Sequence, residues 1–313
     1  MAAAALLLES FLGYPAFLQR RFGHPVQWMG MLITYLDDGL NDPEASVGQN
    51  RINGALFLLA LLIACVAPAI LLVAVLARLP FGWAINILLA TTLLAQKSLA
   101  DHVCAVAEAL PRSLHAARLA VGKIVGRDPA ALDHSGIAKA ALETLAENAS
   151  DGVVAPFLWY ALLGLPGLVA YKAINTADSM IGHKSEKYLG FGWAAARLDD
   201  LVNLPASRLT GLLLTAAAAV SGTKSLRAAW TAMRRDAAHH HSPNAGWPEA
   251  AMAGALGLRF GGQRSYDGQK IDLPAMGAGR PPQDDKDIAA GLFLYRNAMA
   301  LLFVASVILA VVL

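Results

Sequence analysis

Residues 54–77 form an apolar stretch with no charge, rich in Leu, Ile, Val and Ala. At 1.5 Å per helical residue it is long enough to cross a hydrocarbon core of ~30 Å. Pro68 within it removes one backbone hydrogen bond and predicts a kink, which a neighbouring group that re-satisfies the freed carbonyl can tolerate. After Arg78 and Pro80, a second uncharged run over 81–96 predicts a return span and hence a helical hairpin. The run 288–313 is apolar except for Arg296 and Asn297 and predicts a final span, with Arg296 snorkelling to one interface. Two runs stay open at this level. Residues 152–171 are long enough to cross, yet Pro156, Gly164, Pro166 and Gly167 divide them into pieces that suit a re-entrant or bundle-buried hairpin as well as a straight helix. Residues 209–223 make only a short run, which would have to be tilted, buried or interfacial.

Between these runs the period changes. Leu99, Val103, Val106 and Leu110, then Leu114, Ala117, Val121 and Ile124, recur at three and four and predict two amphipathic helices broken at Pro111. Residues 263–287 mix Gly, Pro and charge without a period and read as a loop.

Composition agrees with lipid as the solvent. Of 313 residues, 56% are hydrophobic and 15% charged, and the mean hydropathy is +0.48, so the expectation is an all-α integral membrane protein. It is read as one membrane-embedded domain, 1–313, a polytopic helical bundle whose amphipathic helices and loops form a polar site on the cytoplasmic side. Twenty-five Lys and Arg against 23 Asp and Glu give a net charge of +2 and no electrostatic footprint for nucleic acid. Cys65 and Cys104 have neither the number nor the spacing of a disulfide framework or a zinc site. The start MAAAALLLESFLG lacks a basic n-region and meets Glu9, so it does not read as a cleaved signal. Cations flank the open runs in three groups: Arg112 to Lys139 with Arg127, Lys172 to Arg208, and Lys224 to Arg235. By the positive-inside tendency all three prefer the cytoplasm, which is most easily met if 152–171 does not cross alone.

The polar clusters carry the candidate chemistry. Glu143, Glu147 and Asp151 stand at successive steps of four, so a helix through them aligns three carboxylates on one face beside Asn148. Their repulsion invites a cation, a divalent metal or raised pKa values; the competing reading is a solvated helix face. In NTADSMIGHKSEKY, Asn175, Asp178 and Ser179 share a face, with Lys184 close behind. RLDDLVN then supplies Asp199, Asp200 and Asn203. Carboxylates and amides with nearby Lys184 and Arg208 suit a Mg²⁺-bound polyphosphate, against the plainer reading of caps and interfacial ion pairs. Of His239, His240 and His241 only the last is an attractive ligand or base, since adjacent residues do not share a helical face. Ser242, Pro243, Asn244 and Gly246 make a turn into a small-residue helix whose start offers free N–H groups to phosphate. Gly222-Thr223-Lys224-Ser225 lacks the first glycine of a P-loop, and GxGxxG, GxSxG and HExxH are absent.

HPVQWMG from His24, VGRDP from Val125, ETLAENASDGVVAPFLWY from Glu143, YKAINTADSMIGHKSEKYLGFGWAAARLDDLVN from Tyr171 and HSPNAGWPEAAMAGALGLRFGG from His241 together resemble the adenosylcobinamide-phosphate synthase family of cobalamin biosynthesis. The resemblance implies a ligase of the inner (cytoplasmic) membrane that joins the propionate carboxylate of the corrinoid adenosylcobyric acid to aminopropanol or its phosphate at the expense of ATP. Mg²⁺ and cations would stabilise the transferring phosphoryl group, and other late pathway enzymes are candidate partners. On chemistry and motif position, Glu147, Asp151, Asp178 and His241 are assigned as catalytic. Asn175, Ser179, Lys184, Asn203, Arg208, Ser242 and Asn244 are assigned to substrate and phosphate, and Glu143, Asp199 and Asp200 to metal.

Two positions depart from the family pattern. Its usual Gly-Asp-Pro reads Gly13-Tyr14-Pro15, and Ser207 is inserted before Arg208-Leu209. The rival enzyme class is an intramembrane prenyltransferase, which Asp199-Asp200-x-x-Asn203 invites, although Gly182 stands where a second aspartate after Asp178 is expected. The non-enzymatic rival is a corrinoid transporter or a scaffold protein.

Overall fold

In a computed structural model, which describes residues 1–126, 128–220, 226–266 and 269–312 and only the backbone of 263–266 and 269–273, the protein is mostly helical. Arg127, Lys224 and the Gly222–Ser225 tetrapeptide lie outside the described residues. The helices are α1 (Ala2–Leu12), α2 (Ala16–Phe22), α3 (Pro25–Leu40), α4 (Val47–Leu76), α5 (Gly82–Thr91), α6 (Gln96–Ala109) and α7 (Leu114–Val121). They continue as α8 (His134–Asn148), α9 (Ala155–Ile181), α10 (Trp193–Val220), α11 (Leu226–Asp236), α12 (Gly246–Leu256) and α13 (Asp285–Val312). A single π-helical stretch, Ala149–Val154, joins α8 to α9, and an antiparallel hairpin of β1 (Phe260–Tyr266) and β2 (Gln269–Met276) precedes α13.

The chain gathers into two compact units, each assembled from two stretches: 1–95 with 155–203, and 96–154 with 204–313. In the first unit α4 and α3 pack on α9, and α1 packs on α5. Phe57, Leu58 and Leu61 of α4 and Leu168, Tyr171 and Ile174 of α9 are buried there. The HPVQWMG segment is a helix start: Pro25 opens α3, the His24 ring accepts from the Val26 N–H at 3.2 Å, and Gln27 Oε1 accepts from the His24 N–H at 2.8 Å. Tyr14, where the family pattern has Asp, closes this start structurally. Its hydroxyl donates to the Gly23 carbonyl at 2.7 Å and its ring meets the His24 ring edge-on.

In the second unit α8 is surrounded by α6, α7, α12 and α13. The two amphipathic helices form as the spacing predicts. Leu99, Val103 and Val106 of α6 and Ala117 and Val121 of α7 turn into the core, and the break spans Pro111.

Among the described residues, four helical stretches are long and apolar enough to cross a membrane: α4, the stretch from α8 through α9, α10 and α13. The α1 helix and the α2–α3 stretch pass the same test only together, bent by 96° at their break. Several such helices make this a multi-pass membrane protein. Two expectations need correction. Within the run 81–96 the helix α5 covers only Gly82–Thr91, about 15 Å and half a hydrocarbon core, and the chain turns there before α6 begins at Gln96. The expected loop 263–287 contains most of a hairpin. At its open end buried Phe260 pairs with buried Met276. The open run 152–171 is broken at Gly164, whose φ of 67° and ψ of −160° belong to no helix.

Candidate active site

Of the polar residues singled out in the sequence, some gather into a group in each unit and others stand apart. In the first, α9 and α10 meet through side chains. Tyr171 donates to Asn203 Oδ1 at 2.9 Å; Asn203 Nδ2 donates to Asp199 Oδ2 at 2.9 Å; Asn175 Nδ2 donates to Asp199 Oδ1 at 3.3 Å. Asp199 and Asn203 are buried, so the carboxylate is held by amide donors in a setting where an unmade hydrogen bond is expensive. Asp200, one residue on, is half-buried and faces Arg197 at 3.7 Å. Ser179 is exposed and turns its hydroxyl back to the Asn175 carbonyl at 2.8 Å.

Asp178 is half-buried. A Cβ on Gly182 would overlap its Oδ1 and stand 2.6 Å from its carbonyl oxygen, so the glycine is what lets the chain turn out of α9 under this carboxylate. An aspartate at that position, which a diphosphate-binding pair would need, has no room. The following loop, with exposed Lys184, is pinned by a residue the sequence did not flag. Asp37 of α3, buried, accepts from Lys187 Nζ at 2.8 Å and Tyr188 Oη at 3.0 Å through one oxygen and from Asn41 at 2.9 Å through the other. That hydrogen bond to Asp37 is the main reason the Lys187 ammonium titrates well above its ordinary value.

The second group is built on the turn before α12. Ser242 Oγ accepts from the N–H groups of Asn244 and Ala245, both at 3.2 Å. This sets Asn244 with its side chain buried against α10, where Ser207 Oγ lies 3.0 Å and Arg208 Nη1 3.1 Å from its Oδ1. The Arg208 guanidinium lies 4.7 Å from the centroid of the Trp247 ring. Ser207, the residue inserted relative to the family pattern, thus joins α10 to this turn. His240, set aside in the sequence in favour of His241, also has partners here. It is half-buried, its Nδ1 accepts from the Ser242 N–H at 3.0 Å, and its Nε2 stands 3.8 Å from a carboxylate oxygen of buried Glu249.

His241 is exposed at the lip of a cavity of about 620 Å³ lined also by Lys139, Arg259, Phe260, Gly261, Gly262, Pro274, Ala275 and Pro281. Its floor is tied to α8. Lys139 donates to the Gly261 carbonyl at 2.8 Å, and Glu143, one turn later and buried, accepts from the Gly261 N–H at 3.0 Å. Glu147 is exposed and Asp151 half-buried further along the same helical stretch. Lys139 and Arg259 were not singled out from sequence. Each looks like an ordinary surface cation until the fold brings α8 beside β1.

Among the described residues no three His, Cys, Asp or Glu side chains converge as ligands of one ion. Of the residues assigned to metal, Glu143 holds the Gly261 N–H and Asp199 holds two amides, which leaves no prebuilt cage for Mg²⁺. Mg²⁺ is commonly held through one or two carboxylates with waters and substrate phosphates, and half-buried Asp200 suits that lesser role.

The family model described as CobD/Cbib protein matches residues 2–295. The chain belongs to the CobD/Cbib family. It is 49% identical over 306 residues to the cobalamin biosynthesis protein CobD of Rhizobium meliloti, covering 95% of this chain and 92% of that one. It is 48% identical over 304 residues to the protein of the same name from Rhodobacter capsulatus, covering 96% and 93%. No solved structure matches the chain. The family match takes in both polar groups, as the resemblance read from the motifs implies.

Proposed function

We propose that the chain is the amide ligase of late cobalamin assembly, an enzyme of the cytoplasmic membrane that couples adenosylcobyric acid to aminopropanol or its phosphate. The observation that carries this reading is the family match across residues 2–295, which includes every polar cluster described above. A carboxylate is a poor electrophile. Its oxygen attacks the γ-phosphorus of ATP, the bond to the β-phosphate oxygen breaks, and an acyl phosphate and ADP form. The amine nitrogen then attacks the acyl carbon, phosphate leaves, and the proton on nitrogen passes to a base.

His241, exposed beside the cavity, is one candidate for that base; Glu147, Asp151 and Asp178 are the others. Mg²⁺ enters with the nucleotide as Mg-ATP and supplies charge neutralisation on the polyphosphate. Of the residues assigned to substrate and phosphate, Ser179 and Lys184 of the first unit are exposed, Asn175 of the first and Arg208 and Ser242 of the second are half-buried, and buried Asn203 and Asn244 act by holding their neighbours in place. The prenyltransferase alternative loses support from the absence of space for a side chain at Gly182.

Reconstitution of the purified protein in lipid with adenosylcobyric acid, aminopropanol phosphate and Mg-ATP is the test. The expected result is a product heavier by the condensed amine, with one ADP released per amide. A transporter or scaffold would give no product, and product without nucleotide consumption would remove the activation step. Asp178→Asn should abolish amide formation while the protein still inserts, and full activity in that variant would take Asp178 out of the site.

A further inference from the structure

We propose that the 620 Å³ cavity of the second unit is a phosphate-ester site, in which Lys139 and Arg259 bind the oxyanion of the nucleotide or of the phosphorylated amine. The inference rests on the ligase reading and assigns one of its ligands a place. Three basic side chains, Lys139, His241 and Arg259, line the cavity, and no acidic side chain among the described residues does. The rest of the lining is Phe, Pro, Ala and Gly. A small set of convergent polar groups in an otherwise apolar cavity of this size is the usual form of a small-ligand site.

The floor is rigid where an anion would need it to be. Gly261 is gripped on both sides of its backbone by Lys139 and Glu143, which stand one turn apart on α8. The Glu143 oxygen that accepts from this N–H is thereby directed to the floor itself. Gly261 cannot carry a side chain, because a Cβ there would overlap the Pro274 carbonyl, and its φ of 78° is the left-handed conformation that favours glycine. Beside it, a Cβ on Gly262 would meet nothing within 4 Å, so this position borders open space.

The donors are suited to phosphate. The Lys139 ammonium donates to the Gly261 carbonyl and brings a positive charge to the cavity wall. The Arg259 guanidinium is exposed and makes no hydrogen bond to a described residue, and its planar fork matches two phosphate oxygens.

The test is titration calorimetry on the full-length protein in lipid nanodiscs with Mg-ATP, aminopropanol phosphate and inorganic phosphate, for the native chain and for Arg259→Met, Lys139→Met and Lys139→Arg. Arg259→Met should weaken the Kd of whichever phosphate ester occupies the cavity at least tenfold with the melting temperature unchanged, and leave the other ester within threefold. This identifies the source of the phosphate. Lys139→Met should do the same and Lys139→Arg should restore most of the binding, which separates loss of charge from damage to the floor. If Arg259→Met and Lys139→Met bind every ligand within threefold of the native protein, the site is overturned while the ligase reading stands. If the native protein binds none of the three, both fall.

Discussion

Asn203 serves three partners at once. Its amide nitrogen donates to the Asp199 carboxylate and to the Asp199 carbonyl, and its oxygen accepts from Tyr171. Asn203→Leu leaves a buried carboxylate with one donor fewer and removes the amide oxygen that accepts from the Tyr171 hydroxyl. The expected loss is about 2–4 kcal/mol, read as a lowered melting temperature in detergent; an unchanged midpoint would mean the network contributes nothing.

Asp236 gives the clearest pH dependence. Burial pushes its carboxyl up, but the hydrogen bonds from Arg235 and from the Gly277 N–H outweigh burial and hold it below the ordinary carboxylate range. A depressed folded value means that its contribution is present above the unfolded value of about 3.9 and is lost as pH falls through the folded one. The native protein should therefore lose melting temperature more steeply than Asp236→Asn between pH 5 and about 3; parallel curves would refute the linkage.

At this scale sequence showed which types of residue mattered when their partners were three or four positions away, as with Asp199 and Asn203. It was silent on Asp37 and Arg259, took Lys139 only as a flanking cation, and passed over His240 in favour of His241. The partners of Asp37 and Lys139 lie about 120–150 positions away, those of His240 are set by a local turn, and Arg259 matters only for the cavity that α8 and β1 create.

Elements were legible where composition or period was strong. An uncharged stretch marked α4, and the three–four spacing marked α6 and α7 with their break at Pro111. The hairpin was missed because its sequence does not alternate apolar and polar residues, while the contacts described at Phe260, Gly261 and Met276 depend on the fold. Gly164 was recognised as a weak point of the 152–171 run, and the structure makes it the break. Its φ and ψ lie in a region essentially reserved for glycine. Gly164→Ala should thus cost about 1–3 kcal/mol, measured by thermal unfolding in detergent. Leu162→Ala, at a side chain 63% exposed and two residues away, should change it little. Equal effects of the two would place the sensitivity in the segment and not in the backbone angle.

For the whole molecule the question left by composition is which stretches cross. If the α8–α9 stretch and α10 each crossed once, the cations before α8, those after α9 and those of α11 would alternate between the two sides of the bilayer. The positive-inside tendency favours one side for all three, and two features of the helices agree with that. The α9 helix is broken at Gly164 and carries Pro166 just beyond, as a re-entrant pair would need. The α10 helix begins with Arg197, Asp199 and Asp200 and has Arg208 near its middle, so its uncharged part, 209–220, extends only about 18 Å. Single cysteines at Arg118, Lys184 and Arg227, introduced after Cys65 and Cys104 are changed to Ser, should all react with a membrane-impermeant maleimide in inside-out vesicles and be protected in right-side-out ones. Label at Lys184 from the outer face would establish that the broken helix crosses after all. It would also remove Lys184 from any site that draws its nucleotide from the cytoplasm.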